Sequence, residues 1–127
     1  MTFARPTATM EDVRILIIVN DQPYGSERPY NALRLAAALV KRDAVEVRLF
    51  LLGDAVGCAV AGQRLPDGHY HLDRMLLPIV HHGEVGLCGT CLDARGITDD
   101  QLVAGTRRSN LEELSDWVLW SERSLVF

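Results

Sequence analysis

Val13-Arg14-Ile15-Leu16-Ile17-Ile18-Val19, running directly into Asn20-Asp21-Gln22-Pro23, is the stretch that decides the fold. A short β-branched run that ends in turn residues reads as a buried strand of a parallel sheet entering a loop. Ser26 then suits a helix N-cap, with Glu27 in the first turn and Pro29 tolerated there. Leu33, Ala36, Ala37 and Val40 recur at i, i+3, i+4 and i+7, which predicts a helix ending near Arg42-Asp43. Val45-Glu46-Val47-Arg48-Leu49-Phe50-Leu51-Leu52 reads as the second strand, closed by Gly53 and by Asp54, which suits the cap of a short helix through Val60. Pro66, Asp67 and two glycines make residues 62–68 a loop. A helix is expected from His71 to His82, with Leu72, Met75, Leu76, Ile79 and Val80 on one face and Gly83 ending it. Val85-Gly86-Leu87-Cys88 is the third strand, and a short helix is expected from around Cys91 to Gly96. A turn or brief helix covers Asp99 to Gly105. The last helix spans Leu111 to Ser121, capped by Ser109 or Asn110, with Leu111, Leu114, Trp117 and Val118 inward. Ser124 to Phe127 is a terminal strand. Strands separated by helical lengths imply right-handed crossovers and a parallel sheet. The expectation is an α/β three-layer sandwich: a mainly parallel sheet of about five strands flanked by helices. It forms one domain over residues 13–127, after a flexible N-terminal tail, residues 1–12.

Composition limits what such a domain can do. The chain has 127 residues, 48% of them hydrophobic and 24% charged, with a net charge of −4. That balance argues against nucleic acid, whose phosphates ask for a basic patch. The adjacent Arg107 and Arg108 read as solvated surface. No apolar run approaches the roughly 20 residues of a membrane helix. Met1 to Asp12 lacks the apolar core of a secretory signal, so a cytoplasmic location with reduced thiols is expected. Three cysteines cannot all pair within one chain, which also speaks against a disulfide-stapled scaffold.

In sheets of this kind ligands bind beyond the carboxyl ends of the strands. Three segments converge there: Asn20 to Ser26, Gly53-Asp54, and Leu87-Cys88-Gly89-Thr90-Cys91-Leu92-Asp93-Ala94-Arg95-Gly96-Ile97. The last is the chemically informative one. Cys88 and Cys91 are three residues apart, and Arg95 is a cation able to stabilise a thiolate. A structural zinc site would need a second cysteine pair or histidines at ligand spacing. His69, His71, His81 and His82 do not supply it, and no metal or other cofactor is expected. A thioredoxin-type motif opens a helix after the first strand of its unit; here the pair follows the third. Two buried cysteines acting as small hydrophobes fit the residues equally well. Cys58, among small residues, reads as core packing. Asn20, Tyr24, Gly25, Ser26, Asp54, Gly89, Thr90 and Gly96 are further pocket candidates. Tyr24-Gly25-Ser26 lacks the glycine spacing of a nucleotide fingerprint.

At these residues the chain resembles the DsrE/DsrF-like sulfur-relay superfamily, most closely its small YchN-like branch. The matching stretches are Ile15 to Val19 with Pro23-Tyr24-Gly25-Ser26-Glu27, Leu33-Arg34-Leu35-Ala36, and Arg48-Leu49-Phe50-Leu51 with Gly53-Asp54-Ala55-Val56. Gly62-Gln63, Leu87 to Cys91 with Arg95-Gly96-Ile97, and the last helix with Trp117 ending in Leu125-Val126-Phe127 continue them. The resemblance implies a parallel α/β fold and assembly as a homotrimer or homohexamer. In relay members one cysteine after the central strand carries sulfur as a persulfide between a donor and an acceptor protein. Cys88 holds that place, eight residues before Gly96, with Cys91 matching the second cysteine of the YchN-like branch.

The mechanism expected on that basis is sulfur transfer through Cys88, with Cys91 as resolving thiol and Arg95 as the activating cation. The alternatives are a non-catalytic oligomeric small-ligand-binding or scaffold protein, and a thiol-disulfide oxidoreductase.

Overall fold

The computed structural model describes residues 12–127; the expected tail lies outside the described residues except for Asp12. The deciding stretch forms β1 (Val13–Val19), which pairs in parallel with β2 (Val45–Leu51) along its whole length, from Val13↔Val45 to Val19↔Leu51. β3 (Glu84–Cys88) joins the other side of β2, and β4 (Arg107–Ser109) joins β3. β5 (Arg123–Val126) returns to the free edge of β1, which gives the order β4-β3-β2-β1-β5 with every neighbour parallel.

The register explains the stability of the centre. It lines up Ile17, Leu49 and Val85, and one pleat further on Val19, Leu51 and Leu87, all at most 1% exposed. Rows of branched side chains buried on a pleated surface are what strands select for, each side chain adding about 1.5–3 kcal/mol of burial.

Connection handedness distributes the helices. The steps β1 to β2 to β3 advance in one direction and lay α1 (Arg28–Leu39), α2 (Leu72–Met75) and α3 (Leu77–His82) on one face. The step from β4 back to β5 reverses direction and lays α5 (Leu111–Trp120) on the other. The fold is thus the expected three-layer α/β architecture. No helix among the described residues is long and apolar enough to cross a membrane.

Several local expectations are corrected. The helix expected over residues 71–82 divides at Leu76, because Pro78 has no N–H to continue the ladder and instead opens α3. The short helix after β3 begins earlier than expected: α4 is Gly89–Ala94, with Cys88 at its N-cap position. The segment after β2 is a 3-10 helix, Gly53–Ala59, and its N-cap is Leu52, not Asp54. The N-cap of α1 is Glu27; Ser26 Oγ still accepts the Arg28 N–H at 3.2 Å while donating to Asp21 Oδ2 at 2.5 Å. In α5, Asn110 is the cap, its side chain accepting the Glu113 N–H. Leu114 and Trp117 face the sheet, but Leu111 is 63% exposed and Val118 43%. A single helix lying on the sheet buries only a narrow stripe. Arg107–Ser109 carries no apolar alternation and was not legible as a strand. It is an exposed edge strand, set by pairing with β3 and not by burial.

Candidate functional site

The carboxyl ends of β1, β2 and β3 stand side by side, so the segments leaving them meet. Leu52 N–H donates to Val19 O at 2.9 Å, and Gly53, at φ +54°, turns the chain there beside the Asn20 carbonyl. Its N–H then donates to Cys91 Sγ at 3.2 Å. That bond ties the end of β2 to α4.

Cys88 closes β3 and is 3% exposed. Its sulfur lies 3.2 Å from Thr90 Oγ1. Burial pushes the Cys88 thiol up. Thr90 and Cys91, through their side chains and backbone, outweigh burial and hold it below the ordinary cysteine range. Hydrogen bonds made to the charged form are the physical cause. Cys91, half-buried, goes the other way: burial and the adjacent Cys88 push it up, against the Gly53 N–H and the Arg95 charge. The pair is therefore asymmetric, with Cys88 held below the ordinary cysteine range and Cys91 above it.

Arg95 is engaged. Its Nη2 and Nε donate to Asp54 Oδ1 at 2.6 and 3.2 Å, and its Nη1 donates to the Cys91 carbonyl at 3.0 Å. It fastens α4 to the 3-10 helix, and hydrogen bonds lead among the influences that lower Cys88. Gly96, at φ +64°, terminates α4: its N–H bonds to Asp93 O and that of Ile97 to Leu92 O. This is a Schellman stop, which needs the left-handed region that glycine enters freely.

The structure thus brings Cys88, Gly89, Thr90, Cys91, Arg95 and Asp54 into one cluster, with Asn20 adjoining through Gly53. The side chains of Tyr24 and Ser26 turn to other partners. Tyr24 hydroxyl bonds to Gln63 Oε1 and accepts the Leu72 N–H at 3.1 Å, and its ring stacks on Tyr70. Gly25, at φ +86°, has Gln22 as its nearest neighbour. A cavity of about 340 Å³ lies elsewhere, lined by Leu33, Arg34, Ala37, Ala38, Lys41, Met75 and Pro78.

Two contributors escaped the sequence reading. One is the Gly53 N–H; Gly53-Asp54 was placed at the strand ends, but backbone donors have no residue-type signature. The other is Arg108, read as solvated surface. Arg107 bridges Glu84 and Glu113, and Arg108 bridges Asp93 and Asp99. The signal available was position: Thr106 to Ser109 lies between the turn residues Gly105 and Asn110.

Cys58 is fully buried and its thiol is pushed up by burial to about 12. It carries no thiolate at neutral pH. Alkylation of the folded protein at mildly alkaline pH is expected to modify Cys88 first, Cys91 more slowly, and Cys58 only after denaturant. Peptide mapping over a time course checks the order, and modification of Cys58 at the rate of Cys88 would contradict this arrangement.

A parallel five-stranded α/β sheet with a thiol pair at the end of its third strand defines the class. The chain matches the DsrE/DsrF-like family over residues 13–127, and it belongs to that family. It is 40% identical to Protein YchN of Escherichia coli over 116 residues, covering 90% of this chain and 98% of that one. An uncharacterized protein of Methanopyrus kandleri is 33% identical over 114 residues, covering 89% and 93%. The crystal structure of the ychN protein from E. coli superposes with a TM-score of 0.85 at 39% identity, covering 91% of this chain and 99% of that one. A protein from Methanobacterium thermoautotrophicum shares the fold, with a TM-score of 0.67 at 15% identity, covering 91% and 100%.

Proposed function

We propose that this protein carries sulfur as a persulfide on Cys88. The observation that carries the reading is the asymmetry of the pair: one sulfur with converging donors and a lowered pKa, the other held as its thiol neighbour. The Cys88 thiolate attacks the outer sulfur of a donor persulfide. A new S–S bond forms, the donor's S–S bond breaks, and the donor leaves as a thiolate while the transferred sulfur keeps its proton. A thiol with pKa near ambient pH is the best attacker. The exposed Thr90 side chain stands beside the buried sulfur, so its rotation is the small motion that admits a donor. An acceptor thiolate then takes the outer sulfur and regenerates Cys88. Alternatively, Cys91 attacks the inner sulfur, forms a Cys88–Cys91 disulfide and expels hydrogen sulfide, after which an external dithiol must reduce the pair.

The chemistry suits the cytoplasm, where thiols stay reduced. Leu111, Val118 and Leu119 on α5, with Leu125 and Val126 on β5, form exposed apolar surface suited to a homotrimer or homohexamer. A monomer by size-exclusion with light scattering would dismiss that assembly.

The test of the function is intact-protein mass after incubation of the reduced protein with a cysteine desulfurase and cysteine. One added sulfur mapped to Cys88 is the expected result; no adduct would end the proposal. A Cys91→Ser protein is expected to load to the same level and to release sulfide under reduction at least several-fold more slowly. Unchanged sulfide release would remove Cys91 from the mechanism.

A further inference from the structure

Cys91 is gripped at both ends. The Gly53 N–H donates to its sulfur at 3.2 Å, and its carbonyl accepts from Arg95 Nη1 at 3.0 Å. The same guanidinium donates through Nη2 and Nε to Asp54 Oδ1, at 2.6 and 3.2 Å. Asp54 follows Gly53 directly in the chain. The contacts therefore close a ring that runs from the Cys91 carbonyl through Arg95, the Asp54 carboxylate and the Gly53 N–H back to the Cys91 sulfur. Among the described residues no backbone–backbone hydrogen bond joins α4 to the 3-10 helix. Side chains therefore set how the Gly53 N–H meets the sulfur.

An N–H bonded to a sulfur favours its ionised form, and a donor fixed in advance needs no reorganisation when the charge forms. We infer that Arg95 and Asp54 are positioning residues for Cys91: their ion pair holds the Gly53 N–H on the Cys91 sulfur and so readies that thiol for its attack. What the clamp means for sulfide release rests on Cys91 being the resolving thiol of the proposed function. In that step the Cys91 thiolate bonds the inner sulfur of loaded Cys88, the bond to the outer sulfur breaks, and the outer sulfur leaves as hydrosulfide.

The charges around Cys91 give the test its sign. Cys88 faces it from the end of β3 and Arg95 from α4 itself, while Asp54 on the 3-10 helix pairs with Arg95. Asp93 of α4 pairs away with Arg108 of β4. By charge alone, removing the Asp54 carboxylate would favour a Cys91 thiolate. By the clamp, the same change frees Arg95 and loosens the Gly53 N–H, and so disfavours one. The Asp54 side chain is 61% exposed and that of Arg95 34%. An ion pair so open to solvent adds little to stability, and the variants are expected to fold.

The experiment is iodoacetamide alkylation of Cys91 in the full chain carrying Cys88→Ser, where Cys58 is buried and Cys91 reacts alone. Asp54→Ala in that chain is expected to slow Cys91 about three- to tenfold at neutral pH, the equivalent of half to one pKa unit. Asp54→Asn keeps an acceptor for Arg95 without the charge and recovers most of the rate. An unchanged or raised rate in Asp54→Ala overturns the inference, as does an Asp54→Asn chain as slow as Asp54→Ala. Should Asp54→Ala fail to fold, the Cys88→Ser chain still decides: its Gly53 amide proton resonance must move as Cys91 titrates, and a resonance indifferent to it overturns the inference. With Cys88 present, a loaded Asp54→Ala protein is expected to release sulfide more slowly by a similar factor, and unchanged release overturns the inference too. Cys91 alkylation that follows the clamp in a protein that takes no sulfur keeps the clamp and loses the proposed function. Sulfur loading with Cys91 indifferent to Asp54 loses only the inference.

Discussion

A Cys88→Ser protein, given desulfurase and cysteine, is expected to gain no sulfur at all, where the unaltered chain gains one per subunit. The effect is all-or-none because the hydroxyl is not a nucleophile at neutral pH, while the thiol it replaces is brought toward ionisation by Thr90 and Cys91. The substitution is nearly isosteric, and the Thr90 hydroxyl remains beside it as a hydrogen-bond partner. The fold should therefore survive with a loss of about 1 kcal/mol or less. Melting temperature and far-ultraviolet circular dichroism would confirm that the lost loading is chemical. Stoichiometric loading of Cys88→Ser would move the reacting sulfur elsewhere, with Cys91 the next to be mapped.

Trp117→Ala is expected to be the most destabilising of the single substitutions considered, at about 3–5 kcal/mol. Trp117 is 4% exposed and, with Leu114, anchors α5 to the sheet. Its ring meets Phe50 edge-on at 5.8 Å, and it fills the space over Gly86, where a Cβ would come within 3.1 Å of it. Arg48 and Arg107 each lie 5.4 Å from its ring centre, and Arg48 also sits 3.9 Å from that of Trp120. Removing the indole opens a cavity beneath α5 and takes from Arg107 its aromatic platform, while Arg48 keeps Trp120. Urea unfolding, followed by the fluorescence of the remaining Trp120, measures the loss. A change under about 1 kcal/mol would mean that α5 is held by something other than this anchor.

The sheet was legible in the sequence to the extent that burial wrote it. The carboxyl halves of β1, β2 and β3 are mostly buried, so their runs there are apolar, and the turn residues behind them mark where they stop. The thiol pair was legible because cysteine is a chemically specific residue. Other features left weaker traces. β4 is Arg107-Arg108-Ser109, exposed and polar, and exists because β3 offers it an edge. The inward face of α5 was drawn too wide, since the pattern of Leu111 and Val118 does not reveal that only one narrow stripe meets the sheet. Tyr24 and Ser26 lie in a loop at the strand ends, as the pattern required, yet their side chains bond to Gln63, Leu72, Asp21 and Arg28.

By itself, then, the sequence determined the α/β alternation, the parallel core strands and the place of Cys88 and Cys91 at the end of the third strand. Those follow from local periodicity and residue chemistry, which act over a few positions of the chain. Only the tertiary structure decided that the Gly53 N–H bonds the Cys91 sulfur, that Arg95 is held by Asp54, and that Arg108 reaches the Gly89 carbonyl. Each of those depends on hydrogen bonds between segments 19 to 41 residues apart in the chain. Such contacts are set by register and crossover, and the residue types at their ends do not announce them.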